Sequence, residues 1–225
     1  MDSTLQNSFD DLSKSLPASI GIAVAVAGRQ PVSLGTWTSG VAWSTIKVPL
    51  AIAAPAVDDT DLVFKTITLS DNAAAEELWS RLGESAAGLV QAVIREAGDP
   101  TTVVESRRLR AEYTPFGQTR WPLADQARFA AGLTRVPKAS RVIDLMGDLS
   151  AEHRWGLAAN GFAAKGGWGP GIADGYLVRQ FGIISGTVGV ALAAEVVDGG
   201  YEAGVDAVTT LTDWLVERLP ELTDD

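Results

Sequence analysis

Three short segments carry residue types that together could perform nucleophilic chemistry: Ser44-Thr45-Ile46-Lys47, Ser70-Asp71-Asn72 and Lys165-Gly166-Gly167. An unassisted serine hydroxyl is a poor nucleophile, and it needs a base within hydrogen-bond reach and a place for the developing oxyanion. With Ser44 opening the apolar stretch 44–54 as a helix, the i to i+3 spacing puts the Lys47 amine on the same face. The Ser44 backbone N–H then lies at the positive end of that helix, where a negative oxygen is favoured. A protonated lysine cannot accept a proton. Burial and a second nearby cation both lower a lysine pKa, and Lys165 is the candidate cation. Ser70 could relay a proton to the leaving group, and the Asn72 amide could hold both a substrate carbonyl and the Lys47 amine. The chemistry is acyl transfer through a serine ester, with Ser44, Lys47, Ser70 and Lys165 catalytic and Asn72 binding substrate.

Taken singly, a Ser-x-x-Lys or a Lys-x-Gly turns up by chance about once in a chain of this length. A Ser-Asp-Asn tripeptide is expected in about one such chain in thirty, which makes the joint occurrence in one order the informative signal. A plainer reading makes Ser44 a helix cap with a solvated lysine, and 70–72 a capping turn ahead of a helix. Capping and catalysis are compatible.

On these residues the chain resembles the penicillin-recognising serine enzymes, the class A β-lactamases and penicillin-binding peptidases, which share this motif set. The stretch STIKVPLAIAA (44–54) resembles the family's nucleophile helix, 68–78 its Ser-Asp-Asn segment, and 164–171 its lysine strand and following turn. The resemblance implies Ser44 as nucleophile, Lys47 as base or proton shuttle, Ser70 as relay, Asn72 as substrate holder and Lys165 as electrostatic anchor. It also implies an oxyanion hole from the backbone N–H groups of Ser44 and Trp168, and a substrate that is a β-lactam or a D-alanyl peptide of the peptidoglycan stem. No cofactor and no metal is called for.

The chain departs from the family pattern in three places. Gly166 stands where a hydroxyl residue usually helps bind the substrate carboxylate. Ser44 and Ser70 lie 26 residues apart, closer than in ordinary class A enzymes, so the helical subdomain is reduced. The third departure concerns the glutamate that activates the hydrolytic water in class A enzymes. Gln118-Thr119-Arg120-Trp121-Pro122 resembles the helix start after the omega-shaped loop that carries it, and counting back from Pro122 points to Glu105. Counting forward from Gly98-Asp99 lands near Arg107 or Arg108 instead, and Glu112 is a third position. Glu105 and Glu112 both also read as solvated loop carboxylates. Without a clearly placed base, acylation is expected to outrun deacylation.

Composition narrows the remaining classes. A formal net charge of −10 and a pI near 4.6 disfavour nucleic acid and anionic membranes as partners. Zero cysteines exclude disulfides, thiol catalysis and cysteine zinc sites. His153, the single histidine, reads as a surface or packing residue at a helix end or turn. Neither a Gly-x-Ser-x-Gly elbow nor a phosphate-binding Gly-Lys-Ser/Thr loop is present. The first residues, MDSTLQNSFDDL, have neither the basic region nor the apolar core of a signal peptide, and no apolar run is long enough to span a membrane. The resemblance implies an extracytoplasmic protein, secreted or in the cell envelope, with a leader or anchor expected ahead of the given sequence.

Hydropathy patterning supplies the elements that must position these side chains. Helices are expected over 3–15, 44–54, 73–82, 86–97, 123–134, 140–149 and 204–219, and strands over 20–27, 32–37, 163–167, 176–185 and 187–197. The fold class is α/β (α+β): an antiparallel sheet flanked by helices in one β-lactamase-like domain, 1–225. Its sheet part is drawn from about 1–43 and 156–225, with a reduced helical part, about 44–155, inserted between. A chain of this size buries roughly 70 per cent of its unfolded surface, enough for such a unit. The site falls in the cleft between the two parts. The run Gly166 to Gly171 is either a hairpin turn with a packing aromatic, or a strand edge that admits substrate backbone at Gly167 with Trp168 as a pocket wall. Arg107, Arg108 and Arg110 are either a solvated loop or a substitute carboxylate receptor. Two functions remain open: a serine acyl-enzyme hydrolase, or a catalytically weak or inactive binding module of the cell envelope.

Overall fold

The computed structural model describes residues 3–54, 60–172 and 175–223. The amphipathic segment Ser3–Ser15 is helix α1, which buries Leu5 and Phe9. Strand β1 (Ala18–Val26) follows, then β2 (Val32–Gly35) and a short β3 (Ser39–Val41). In β1, Ile20 through Ala25 are all buried, so the strand is covered on both faces and its small and β-branched residues form a continuous run rather than an alternation.

The middle of the chain is mostly helical: α2 (Lys47–Ala53), α3 (Thr60–Thr68), α4 (Asn72–Leu82) and α5 (Ala86–Glu96), then strand β4 (Arg120–Pro122), α6 (Leu123–Gly132) and α7 (Ala139–Gly147). Helix α2 buries every residue from Lys47 to Ile52 and contacts α3, α4, α5 and α7, which makes it the axis of the helical part. Pro49 lies in its first turn, where a missing N–H costs nothing. The chain then returns as β5 (Ala163–Pro170), β6 (Tyr176–Ser185) and β7 (Val188–Val196), and ends in α8 (Gly200–Glu217) and α9 (Leu219–Thr223).

Five strands form one antiparallel sheet in the order β2-β1-β7-β6-β5. N-terminal β1 pairs with C-terminal β7 from Ala18↔Val196 to Val26↔Val188, so the sheet exists only when both ends of the chain meet. Strand β5 is an edge, with its other side free to face the helical part. Gly189 of β7 lies against Ala127 and Ala131 of α6, while Val178 of β6, which pairs with Ala194, lies against Gly204 of α8. Residues 189 and 194 differ by an odd number, so α6 and α8 cover opposite faces. The chain thus has an antiparallel five-stranded sheet flanked by helices, as expected from sequence. Although α6 lies inside the stretch 44–155, it packs on the sheet.

Two features were not legible from patterning. Helix α3 holds three Thr, a Val and an Ile, all weak helix formers, and α2, α4 and α7 pack around it. The ribbon of β3 with β4, paired at Gly40↔Trp121, is too short to show a period. The glycine run extends β5 to Pro170 instead of turning after Gly167.

A fully buried arginine joins these layers. The Arg179 guanidinium of β6 donates from Nη1 to the Gly40 and Val41 carbonyls at 3.1 and 3.0 Å, and from Nη2 to the Trp121 carbonyl at 3.0 Å and Gln126 Oε1 at 2.7 Å. Among the described residues no carboxylate pairs with it. Burial pushes its pKa down to about 9, so it remains a cation at neutral pH. Gln126 in turn donates to Thr45 Oγ1 at 3.0 Å, and Thr45 Oγ1 donates to the Ala42 carbonyl at 2.6 Å, carrying the network to the residues around Ser44. Arg179→Ala strands four acceptors and is expected to lower unfolding free energy by about 3 to 5 kcal/mol in urea denaturation. Arg179→Lys should recover only part, because an ammonium cannot reproduce the fork. A loss below about 0.5 kcal/mol, the level of an ordinary surface substitution, would refute this role.

Candidate active site

Ser44 does not open an α-helix. Trp43–Ile46 is a 3-10 turn, and α2 begins at Lys47, whose backbone N–H bonds to the Ser44 and Thr45 carbonyls. Trp43 enters this turn at φ 49°, a left-handed conformation that costs a bulky residue about 1 to 2 kcal/mol. What holds it is a stack: the Trp43 ring meets Tyr113 edge-on at 4.8 Å, and the Arg110 guanidinium lies 4.9 Å from Trp43 and 4.8 Å from Tyr113. A second strained residue is Ser70, at φ 52°. Asp71 caps α4 by accepting from the Ala74 N–H at 2.7 Å, so capping and the site coexist in one tripeptide.

The strained Ser70 turn aims both its polar groups at lysines. Lys47 Nζ donates to the Ser70 carbonyl and to Asn72 Oδ1, each at 2.6 Å, and stands 3.4 Å from Ser70 Oγ. Lys165 Nζ donates to Ser70 Oγ at 2.8 Å and to the Gly166 carbonyl at 3.0 Å. Ser44, Lys47, Ser70, Asn72 and Lys165, spread over 122 positions, are thereby brought into one site. Among the described residues the Ser44 hydroxyl makes no hydrogen bond.

Both amines are buried, and their proton affinities fall accordingly. Desolvation lowers Lys47 to about 7, against the opposing pull of Asp71 and Glu76. Lys165 is lowered well below the usual lysine range, first by desolvation and then by the Lys47 charge. In the free cleft no carboxylate offsets the burial of Lys165, so its charge is disfavoured there. Burial disfavours both charges, and the Lys47 charge further disfavours that of Lys165. A neutral Lys47 that donates its two N–H groups to Ser70 and Asn72 keeps its lone pair for another proton.

The edge of β5 completes the site. Gly171 N–H bonds to the Gly175 carbonyl at 2.7 Å, and the β5–β6 register carries that alternation back along the strand. The even-numbered backbone groups, Gly166 and Trp168, therefore face the open edge. A Cβ on Gly167 would meet the Ser44 N and the Ala42 O at 2.8 Å, so only glycine lets this edge approach the Ser44 turn. The N–H groups of Ser44 and Trp168 sit on the two sides of that approach. Trp168 is held between His153 and Tyr201, with ring centroids at 5.2 and 5.1 Å. His153 packs here and bonds to Ser150 Oγ at 3.1 Å; burial, then Lys165, lowers its pKa.

A cleft of about 440 Å³ opens beside Ser44, with Lys47, Ser70, Asn72 and Trp168 in its wall. Of the two loop carboxylates, Glu112 lines this cleft and Glu105 does not. Glu105 accepts from the Arg107 N–H at 2.8 Å, from Nε at 3.0 Å and from Nη2 at 3.1 Å, and Arg107 holds its carboxyl below the usual carboxylate range. Arg108 bonds to the Ala111 and Tyr113 carbonyls and Arg110 to those of Pro170 and Gly171, so none of the three arginines forms a receptor in the cleft. Sequence reading missed Trp43, Tyr113 and Glu76, all in the wall. The signal for Glu76 was its place four residues after Asn72 on a helix. For Trp43 and Tyr113 there was none. No three acidic or histidine side chains among the described residues gather as a metal site.

No protein-family model matches the chain, and no curated protein matches it. Solved structures do. A variant of the class A β-lactamase of the last common ancestor of Gram-negative bacteria superposes with a TM-score of 0.72 at 17% identity, covering 97% of this chain and 99% of that one. A class A β-lactamase from Mycobacterium abscessus gives 0.72 at 14% identity (96% and 99% covered), and a β-lactamase from Burkholderia vietnamiensis 0.71 at 14% (97% and 97%). The chain has the fold of the penicillin-recognising serine enzymes, as its motifs implied.

The missing hydroxyl at position 166 has a steric cause. A Cβ there would lie 2.6 Å from the Trp155 ring. Gly166→Ser is expected to cost about 1 to 3 kcal/mol by overpacking, and Trp155→Ala to relieve part of that cost in the double variant. Thermal unfolding of the four proteins in the cycle measures the coupling, and strictly additive losses would show that Trp155 is not what excludes the side chain.

Proposed function

We propose that this protein is a serine hydrolase that forms an acyl-enzyme through Ser44 with β-lactams or D-alanyl peptides. The observation that carries the reading is the Lys47 amine: buried, held by Ser70 and Asn72, and lowered to about 7 at the start of the helix that follows the Ser44 turn. In the proposed reaction, neutral Lys47 takes the Ser44 proton as Oγ attacks the substrate carbonyl carbon. The Ser44 and Trp168 N–H groups receive the oxyanion. When the tetrahedral species collapses, the leaving nitrogen takes the proton of the Ser70 hydroxyl, which the two amines replenish. An anionic substrate group near Lys165 restores the counter-charge that the free cleft lacks, so that substrate binding itself favours the Lys165 cation. No described helix is long and apolar enough to cross a membrane, and both substrate classes place the proposed action outside the cytoplasmic membrane. The other reading, a binding module of the cell envelope, rests on the glycine at 166 and needs no activated serine.

Intact-mass analysis with a penicillin or an activated acyl-D-alanyl thioester should show one covalent adduct, mapped to Ser44 and absent from Ser44→Ala. No adduct with any of these reagents would favour the binding module. Because the base must be unprotonated, acylation should rise with pH through about 7 and level off above it. Lys47→Arg keeps the charge without a usable base and should slow acylation by about a hundredfold or more. A flat pH profile, or equal rates in Lys47→Arg, would remove Lys47 from the base role.

A further inference from the structure

With Glu105 tied to Arg107 and absent from the cleft wall, hydrolysis of a Ser44 ester has no base at the position counted from Pro122. Glu76 offers one from an unexpected element. It lies on α4 one turn beyond Asn72, and residues four apart share a helix face. Asn72 uses that face to hold Lys47 at 2.6 Å, and Glu76 lines the same cleft as Ser44, Lys47 and Asn72. Its charge reaches Lys47, where it opposes the loss of the proton. The other nearby carboxylates are occupied: Asp71 caps α4 and Glu77 pairs with Arg81 at 2.8 Å. Among the described residues Glu76 makes no hydrogen bond and no ion pair. Glu112, the other carboxylate of the wall, is exposed as Glu76 is; it is carried by a loop instead of the helix of Asn72 and is not among the charges that act on Lys47.

Resting on the Ser44 acyl-enzyme reading, we infer that Glu76 is the general base that activates water for deacylation, replacing a loop glutamate with a helix glutamate. Water adds to the acyl carbonyl carbon while its proton passes to the Glu76 carboxylate. The tetrahedral species then collapses with cleavage of the bond to Ser44 Oγ, which takes up the proton that Glu76 accepted, relayed through neutral Lys47. The carboxylic acid product leaves and ionises in solvent, with Glu76 again a carboxylate, Lys47 again neutral and Ser44 again a hydroxyl. A general base acts directly or through one intervening water, so the role asks for a carboxylate in the wall of the cleft that holds Ser44, which Glu76 supplies. With this base present the enzyme turns over repeatedly, past the single burst expected if no base existed.

The test is Glu76→Gln, assayed with a chromogenic cephalosporin and a penicillin by stopped-flow and intact mass. Acylation should persist, which also reports an intact fold, with its pH profile moved to lower pH because the charge that favours the Lys47 proton is gone, while deacylation slows by about a hundred- to ten-thousandfold and the Ser44 adduct accumulates. Hydroxylamine, a nucleophile that needs no base, should release the adduct equally from both proteins, and Glu76→Asp should restore part of the hydrolysis. Equal deacylation in Glu76→Gln and wild type, or trapping by Glu112→Gln in its place, overturns the Glu76 assignment and leaves the acyl-enzyme standing. Failure of wild type to acylate at all overturns the serine reading instead.

Discussion

Two lysine amines from segments more than a hundred residues apart are buried around a single serine. Charge burial is expensive, and a group unable to find an opposite charge sheds its proton instead. Lys47 and Lys165 face only carbonyl and hydroxyl oxygens at hydrogen-bond distance, so desolvation dominates and both lose proton affinity. The rest of the site follows from this constraint. An amine whose proton affinity is lowered can act as a base, and a buried amine without a counter-charge is best stabilised as a cation by an incoming anion.

Keeping those amines dry and in register requires strain and scaffolding. Two of the three non-glycine residues with left-handed backbones among those described, Trp43 and Ser70, belong to the site. Backbone strain of that kind persists only where the surroundings over-determine it. Around Trp43 the surroundings are the Arg110 and Tyr113 stack, and beneath it the run of hydrogen bonds from Arg179 through Gln126 to Thr45. That run ties the Ser44 turn to β6 in the middle of the sheet, next to the β1–β7 pairing that joins the chain's two ends.

The loop between α5 and β4 shows how different side chains can build a similar enclosure. Asp99, fully buried, accepts from the Thr101 and Thr102 N–H groups and from Trp121 Nε1 at 2.8 Å. The Gln118 amide accepts from the Arg110 N–H and donates to three carbonyls of the same loop. Their polar groups are spent on folding the loop, and Glu105 is spent on Arg107. The loop supplies cleft wall through Tyr113, Thr114 and Gly117, and its one carboxylate there, Glu112, is exposed. The helix after Ser70 meanwhile brings Glu76 to that wall.

Residue types at short spacing determined much of this protein. Ser44 with Lys47, Ser70 with Asn72, and Lys165 ahead of two glycines each lie within one turn or one strand, where local geometry alone decides which side chains are neighbours. The long strands and the helices of strong amphipathic period were legible for the same reason. Only the tertiary structure decided the remainder. Whether Glu105 or Glu112 reaches the cleft depends on a loop whose path is set by buried hydrogen bonds of Asp99 and Gln118, which leave no period in the sequence. Which lysine is the easier to deprotonate depends on burial, which spacing does not encode. The absent hydroxyl at Gly166 traces to Trp155, at the end of the stretch 44–155, whose ring lies against that strand because tertiary packing brings together side chains whose contact sequence order does not reveal.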